Sequence, residues 1–502
     1  MAFRFPSSFN SLATFVAVAG LSMAVAMTML GCSTTGSAGQ QRSALENGTA
    51  QHWEGVLPQG ENPASQMNWW ASWNDPTLLA LLARAQQHNP GLAQASARIA
   101  QARASASAAG ARLWPSLNLN AGLTASRNPF ATLGAGEVRQ SVASTGLDAL
   151  WEIDLFGANA ANRHSMQARL EASATEWHDV RISLAAEVAN TYLSLRSCEA
   201  QAAGLQQLAQ SQQISQQLQE QKIVAGFISL EELAQQDAQL ANLLTQARQQ
   251  EFECASLLKS LVMLVDLPES EARDMLQAGH AVLPQAGHFI VEALPVKALL
   301  ARPDMRAALL NLVASGADID AAQARRYPSI SLLGSISLLG IRMAGTNSDT
   351  NSWSFGPSLT LPLLDAGARK AQVDLAQARH AEAQAAFRQK TLLAVREVEQ
   401  ALLRLDLANH HLQQHQRIET SQNIALQAAE AGWRFGSVSR LEMEQARRQQ
   451  LLAQGKKWQL QGDRASAWIA LYKALGGDWQ GAGEQPSPLS QSPQQLQQSG
   501  PR

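Results

Sequence analysis

Few side chains in this 502-residue chain combine reactivity with a telling position. The first is Cys32. It follows Gly31 at the end of an apolar run from Leu12 to Leu30, and a polar stretch begins at Ser33. Arg4 supplies a positive start, so residues 1–31 read as a secretory signal. A thiol placed there can be made into a thioether to diacylglycerol, and several acyl chains hold a protein firmly on a membrane. The alternative is a signal anchor that stays uncut. The other two thiols, Cys198 and Cys254, each lie 28 residues from Gly226, on opposite sides of it. A helical hairpin turning at Gly226 sets them at equal height. That height permits a disulfide in an oxidising compartment, and it equally permits two buried free thiols. His411 and His415 have the i, i+4 spacing of a helical metal-ligand pair, but no third ligand accompanies them. They and His410 read as a solvated helix face, and no metal is expected. The chain has no nucleophile elbow, phosphate loop, zinc-spaced cysteine pair or dinucleotide glycine motif. An enzyme is therefore not expected, nor any cofactor beyond a covalent lipid on Cys32.

The elements that must position these residues follow from composition and repetition. The net charge of −2 argues against a nucleic-acid partner. Charged residues are 16% of the chain, below the roughly 25% of an ordinary soluble domain. Ala, Gln, Leu and Ser dominate, which favours long helices. No apolar run long enough for a membrane helix follows residue 31, but membrane strands announce themselves by alternation rather than bulk hydropathy.

The chain is two copies of one plan. "RLWPSLNLN" from Arg112 resembles "RRYPSISLL" from Arg325, 213 residues on, and Pro90 and Pro303 share that offset. Gly157 and Gly367, Glu187 and Glu397, and Gly226 and Gly436 keep an offset of 210. Each copy reads as helix, strand, loop, strand, long helix, turn, long helix. Residues 1–31 form the signal, 32–66 a lipid-anchored linker, 67–265 the first repeat, 266–298 an equatorial connector, 299–478 the second repeat, and 479–502 a Pro-, Ser- and Gln-rich tail expected to be disordered.

Strands are read from period-two alternation. The first copy offers Ser116 to Asn120 and Leu147 to Leu155, with Asp148, Glu152 and Asp154 on the face opposite the apolar residues. The second offers Ser329 to Leu332, Ser352 to Phe355 and Leu359 to Leu361, the last weakened by Pro357 and Pro362. Polar loops are expected near Asn128 to Gly136 and Gly345 to Ser352. Long helices run from Gly157 to about Val224 and from Gly367 to about Gly432, with return helices from Ser229 and Ser439. Four strands cannot close a membrane barrel, and open edges are not tolerated in lipid. Two chains would give eight strands, filled by their own side chains, and three would give twelve around a lumen. Trp114, Trp151 and Trp353 are candidates for an aromatic girdle.

These motifs carry a resemblance. "NWWASWNDPTLLALLARAQQHNPGLAQASARIAQARA", "LWPSLNL", "DLFG", "VANTYLSLR", "ALPVKALLARPDMRAA", "YPSISL" and the two glycine turns span residues 65–478. The chain resembles the outer membrane efflux proteins of the TolC-like family, in the NodT-like lipoprotein branch that serves resistance-nodulation-division (RND) pumps. Met29-Leu30-Gly31-Cys32 resembles a lipobox, and Ser33 after the cysteine implies release to the outer membrane. The resemblance implies a mixed α and β membrane protein: a homotrimer with a 12-stranded barrel continued by a helical tunnel across the periplasm. It further implies docking to a periplasmic adaptor and an inner-membrane RND transporter, and passive conduction of their small-molecule substrates.

The resemblance also places a gate just past the second glycine turn. Glu442 and Gln445 stand six and nine residues beyond Gly436, where relatives often carry Asp, and the same count from Gly226 reaches Glu232. A threefold carboxylate ring there would favour cations. The plain alternative makes Glu232, Glu442 and Glu444 solvated residues paired with Arg440 and Arg447. Gly226, Ser229, Gly436 and Ser439 occupy matching places at the two tips and are candidates for adaptor docking. Two other functions remain open: a channel for type I protein secretion, and a soluble periplasmic coiled coil, which fractionation and circular dichroism would separate from a channel.

Overall fold

The computed structural model describes residues 53–55, 57, 66–128, 138–224, 226–285, 287, 289, 291, 299, 301–343 and 346–478. Cys32, the signal and the tail beyond residue 478 lie outside the described residues. The chain begins its regular structure with a short 3-10 helix, Gln66–Trp73. The first repeat follows with α1 (Pro76–His88), α2 (Pro90–Ala111), β1 (Ser116–Asn128), β2 (Val138–Ile153), α3 (Ala158–Val224) and α4 (Leu230–Val265). A short α5 (Glu269–Gln277) leads on to the second repeat: α6 (Pro303–Ala324), β3 (Ser329–Met343), β4 (Thr346–Thr360), α7 (Ala368–Arg434) and α8 (Arg440–Ala474).

Local chemistry sets the helix starts. Asp75 caps α1 by accepting from the Thr77 and Leu78 N–H groups, and Pro76 fills the first position, where a missing donor costs nothing. Asn89 and Pro90 repeat the device at α2. The long helices α3 and α7 have 67 residues each, about 100 Å at 1.5 Å per residue. α3 packs against α1, α2, α4, α6 and α8, and buries more residues than any other element, including Val188, Ala189, Tyr192 and Leu193. α4 and α7 are the outer members of this layer, and much of each stays exposed in a single chain. One part of the core is an aromatic cluster. Trp69 of the "NWWASW" motif is fully buried, stacks on Tyr472 at 4.8 Å and meets Phe289 edge-on. Its indole donates to the Gly287 carbonyl at 2.7 Å. The linker reaches this unit too: the Glu54 and Gly55 N–H groups both donate to the Glu399 carboxylate on α7.

The four strands form one antiparallel sheet in the order β1-β2-β3-β4, so β1 and β4 are its edges. The strands outrun the alternation that identified them. β4 starts at Thr346, so the expected loop from Gly345 to Ser352 is mostly strand. Serine hydroxyls pair across it, Ser337 with Ser352 and Ser335 with Ser354, each at 2.8 Å. Pro357 lies within β4, opposite Leu332, on a strand that pairs on one side only within the chain. Asp154 is a correction: β2 ends at Ile153, and the Asp154 carboxylate instead accepts from the Asn159 and Ala160 N–H groups at the start of α3. His415 is another. It is buried, and its imidazole bonds the Ala453 carbonyl at 2.7 Å, so only its neighbours His410 and His411 lie on an exposed face.

Candidate functional site

The strand register divides the sheet into two unlike faces. Leu119 stands opposite Leu147, which stands opposite Ile336, which stands opposite Trp353. Leu117, Leu123, Trp151, Phe355 and Leu359 share that face, and all of these side chains are exposed in a single chain, Leu123 by 80%. The opposite face carries Asn118, Asn120, Asp148, Glu152 and the paired serines. Asn120 donates to Asp148 across β1 and β2 at 2.5 Å. Leu150 opposite Leu333, Val142 opposite Ile341, and Leu339 are apolar exceptions on it. An apolar face this large is stable against hydrocarbon, not water, and lipid demands that both sheet edges find further strands. The polar face, neutral apart from Asp148 and Glu152, suits a water-filled lumen. Trp151 is fixed by a hydrogen bond to the Leu113 carbonyl at 3.1 Å, and Trp114 is 74% exposed near the same end of the sheet.

The far ends of the helical hairpins are built alike. Gly226 (φ +76°) and Gly436 (φ +73°) both adopt the left-handed conformation that ends a helix. The Phe227 N–H returns to the Lys222 carbonyl and the Gly226 N–H to Ile223; Ser437 and Gly436 repeat this with Gly432 and Trp433. No atom would clash with an added Cβ at either glycine, so the requirement is the backbone angle itself. Ser229 then caps α4 by accepting from the Glu232 N–H, and Ser439 caps α8 by accepting from Glu442. Here the two copies differ. The Glu442 carboxylate folds back onto the Ser439 N–H and hydroxyl, both at 2.8 Å, completing a capping box. Those two bonds hold the Glu442 carboxyl below the usual carboxylate range. Glu442, Gln445 and Glu232 are all exposed. The signal for the box, Ser439-x-x-Glu442, was legible in the sequence. So was an exposed aromatic beside each turn glycine, Phe227 after Gly226 and Phe435 before Gly436 (79% and 89% exposed).

Behind the second tip, α8 is fastened to α3 by a polar seam. Glu444 is 1% exposed, not solvated as the plain alternative had it, although it does lie beside Arg447. Its carboxylate accepts from the Ser211 hydroxyl at 2.7 Å and lies 3.5 Å from Arg447. Arg448 donates to Ser215 one turn further along α3. Burial pushes the Arg448 guanidinium below its ordinary value, with the Glu444 charge opposing. Higher up, a disulfide joins Cys198 to Cys254 with their Cα atoms 5.5 Å apart, tying α3 to α4.

A chain with this sheet and these hairpins has known counterparts. The family model for outer membrane efflux proteins matches residues 81–260 and 294–477. The chain is 30% identical to the pyoverdine export outer membrane protein OpmQ of Pseudomonas aeruginosa, over 89% of this chain and 96% of that one. It is 31% identical to the outer membrane protein OprJ of the same organism, over 91% and 95%. Among solved structures it resembles the outer-membrane channel OprN, with 27% identity, a TM-score of 0.70, and coverage of 86% of this chain and 98% of that one. The chain belongs to the outer membrane efflux protein family and is an outer membrane channel component of an efflux system.

Proposed function

We propose that three copies of the chain assemble into one channel that takes small molecules from a periplasmic adaptor and an inner-membrane RND transporter and conducts them passively across the outer membrane. The observation that carries this is the pair of unpartnered edges. β1 and β4 leave the sheet open on both sides, and the outer helices α4 and α7 expose Phe252, Leu392 and Leu403. A neighbouring copy satisfies both edges at once, β4 against β1 and α7 against α4. Three copies give 12 strands around the polar face, whereas two would give a barrel filled by its own side chains. The tips at Gly226, Ser229, Gly436 and Ser439 then form six similar sites for the adaptor, with Phe227 and Phe435 as apolar contacts. Glu442 with Gln445, and Glu232 in the other copy, would line the closed end of the tunnel. Cys32 would carry the lipid that anchors each chain, and no step requires catalysis.

Native mass spectrometry of protein extracted from outer membranes in detergent tests the assembly. A trimer carrying lipid mass on each Cys32 is expected. A lipid-free monomer in the soluble fraction would overturn the reading. Asp in place of Gly226 or Gly436 should abolish drug export while trimers persist; export retained by both variants would remove the tips as the docking site.

A further inference from the structure

Where the sheet meets the helices, the chain encloses a cleft of about 580 Å³. Both repeats contribute to it. Arg112 comes from the end of α2, Glu152 from β2, Asn159 from α3, Arg325 from the end of α6, and Arg369 from α7. Phe156 and Tyr327, stacked at 4.8 Å, form an aromatic wall.

Three observations point to an anionic ligand. Asn159 is only 7% exposed, yet its Nδ2 donor has no partner among the described residues. Buried polar groups are almost always hydrogen-bonded, so this donor calls for an acceptor from outside the chain. The cleft also holds three guanidiniums against two carboxylates, and Asp154 is already engaged by two main-chain N–H groups. Arg369 is turned to the Arg325 carbonyl and lies 3.8 Å from Asp365, while the Arg112 and Arg325 side chains form no ion pair among the described residues. Finally, the internal repeat explains why the donors converge. Arg112 and Arg325 are the same position in the two copies, as are Asn159 and Arg369, so the seam between copies brings equivalent donors to one space.

We propose that this cleft binds a phosphate group, held by Arg112, Arg325 and the Asn159 amide. Guanidinium forks match phosphate oxygens in charge and geometry. The depth fits such a ligand. The cleft begins at Ile153, where the apolar face of the sheet ends, and bilayer headgroups lie at that boundary. Two sources carry the chemistry: the headgroup of a phospholipid, and a soluble phosphate ester.

The test uses the assembled protein in detergent, stripped of lipid, in native mass spectrometry. Phosphatidylethanolamine, diacylglycerol with the same acyl chains, and phosphoethanolamine are each added. Retention of phosphatidylethanolamine under activation that removes diacylglycerol identifies the lipid source. Retention of phosphoethanolamine alone identifies the soluble one. In either case the Arg112→Gln/Arg325→Gln variant should retain at least tenfold less. Asn159→Asp provides a second variant that keeps α3, because an acidic residue in the first turn favours a helix. It should lose the ligand while assembling normally, and it decides the matter if the double variant fails to assemble. Retention of neither phosphate compound, or equal retention by wild type and Asn159→Asp, would overturn the proposal.

Discussion

Arg302 donates its guanidinium to the main-chain carbonyl of Ala474, at 2.7 Å, and so caps the last turn of α8 from the residue that precedes α6. The first repeat does the same with a different side chain. Asn89, which precedes α2, donates to the Leu264 carbonyl at the end of α4, at 2.8 Å. In each copy the residue before an N1 proline closes the return helix, so the repeat is tied head to tail by one hydrogen bond.

The two ties should differ in worth. Asn89→Ala removes a neutral bond and an N-cap, at a cost of about 1 kcal/mol. Arg302 also donates from Nε and Nη2 to the two Asp304 oxygens, and from Nη2 to Glu397 at 2.7 Å. Its side chain is 8% exposed and that of Asp304 is 10% exposed. Arg302→Ala would leave the buried Asp304 carboxylate with Lys390, 3.6 Å away, as its remaining cation, a change that costs up to about 3–5 kcal/mol. Thermal unfolding in detergent should therefore separate the variants clearly, with Arg302→Ala the more damaged. Equal melting temperatures would show that the guanidinium acts only as a cap.

The same cluster sets a pH dependence with two signs. Burial resists ionisation of Asp304, but Arg302 and Lys390 outweigh it and hold the carboxyl below its ordinary value of 3.8. Its contribution is present above that value and fades as pH falls through the lowered one. Asp179 is the reverse: burial, then the Asp304 charge, raise its carboxyl above 3.8. The folded state therefore takes up a proton that the unfolded chain releases, and stability from this group falls as pH rises through that window. Asp179→Asn should melt higher than wild type at pH 7, with the advantage shrinking toward pH 4. A constant advantage across that range would assign the effect to packing rather than charge.

Periodicity and repetition made the helices, the turn glycines and the two-copy plan legible in the sequence, because helix ends and hairpin turns have local chemistry. The upper strands were not. Thr346 to Ser352 is Asn, Ser, Asp and Thr throughout, a loop composition, and only pairing with β3 makes it strand. Asp154 continued the alternation of β2 but is claimed by the α3 N-terminus, which no period-two reading can foresee. Glu444 looked solvated because Leu441-Glu442-Met443-Glu444 is read on one helix; its burial comes from Ser211, 233 residues away. The cleft around Asn159 was equally hidden, since its donors converge only through the seam between repeats.

The Cys198–Cys254 link closes a segment with a sequence separation of 56. Unreduced digests should carry both cysteines in one cross-linked species, and alkylation should reach them only after reduction. By loss of chain entropy alone, the double Ser variant should be destabilised by about 4 kcal/mol. Because the link joins α3 to α4 within one hairpin, it should leave trimer mass unchanged. Both thiols alkylating without reductant would show that they stay free in the mature protein.

The seam at Glu444 bears on the tip rather than on overall stability. The contact lies only eight residues from the turn at Gly436, and the carboxylate, paired with Arg447 on its own helix, is what α8 offers to Ser211. Glu444→Gln keeps the shape and an acceptor for Ser211, so α8 should stay seated against α3. Glu444→Ala removes the acceptor for Ser211 and takes one anion from beside Arg447 and Arg448, which should free the start of α8. If resting closure depends on α8, Glu444→Ala should increase single-channel conductance and sensitivity of cells to vancomycin, a molecule too large for a closed channel, while Glu444→Gln stays near wild type. The exposed pair, Glu442→Ala with Gln445→Ala, should also raise conductance, because it removes the side chains nearest the proposed closure without touching the seam. Conductance raised by the exposed pair but not by Glu444→Ala would place closure in the tip side chains alone, and the reverse result would place it in how α8 is held against α3.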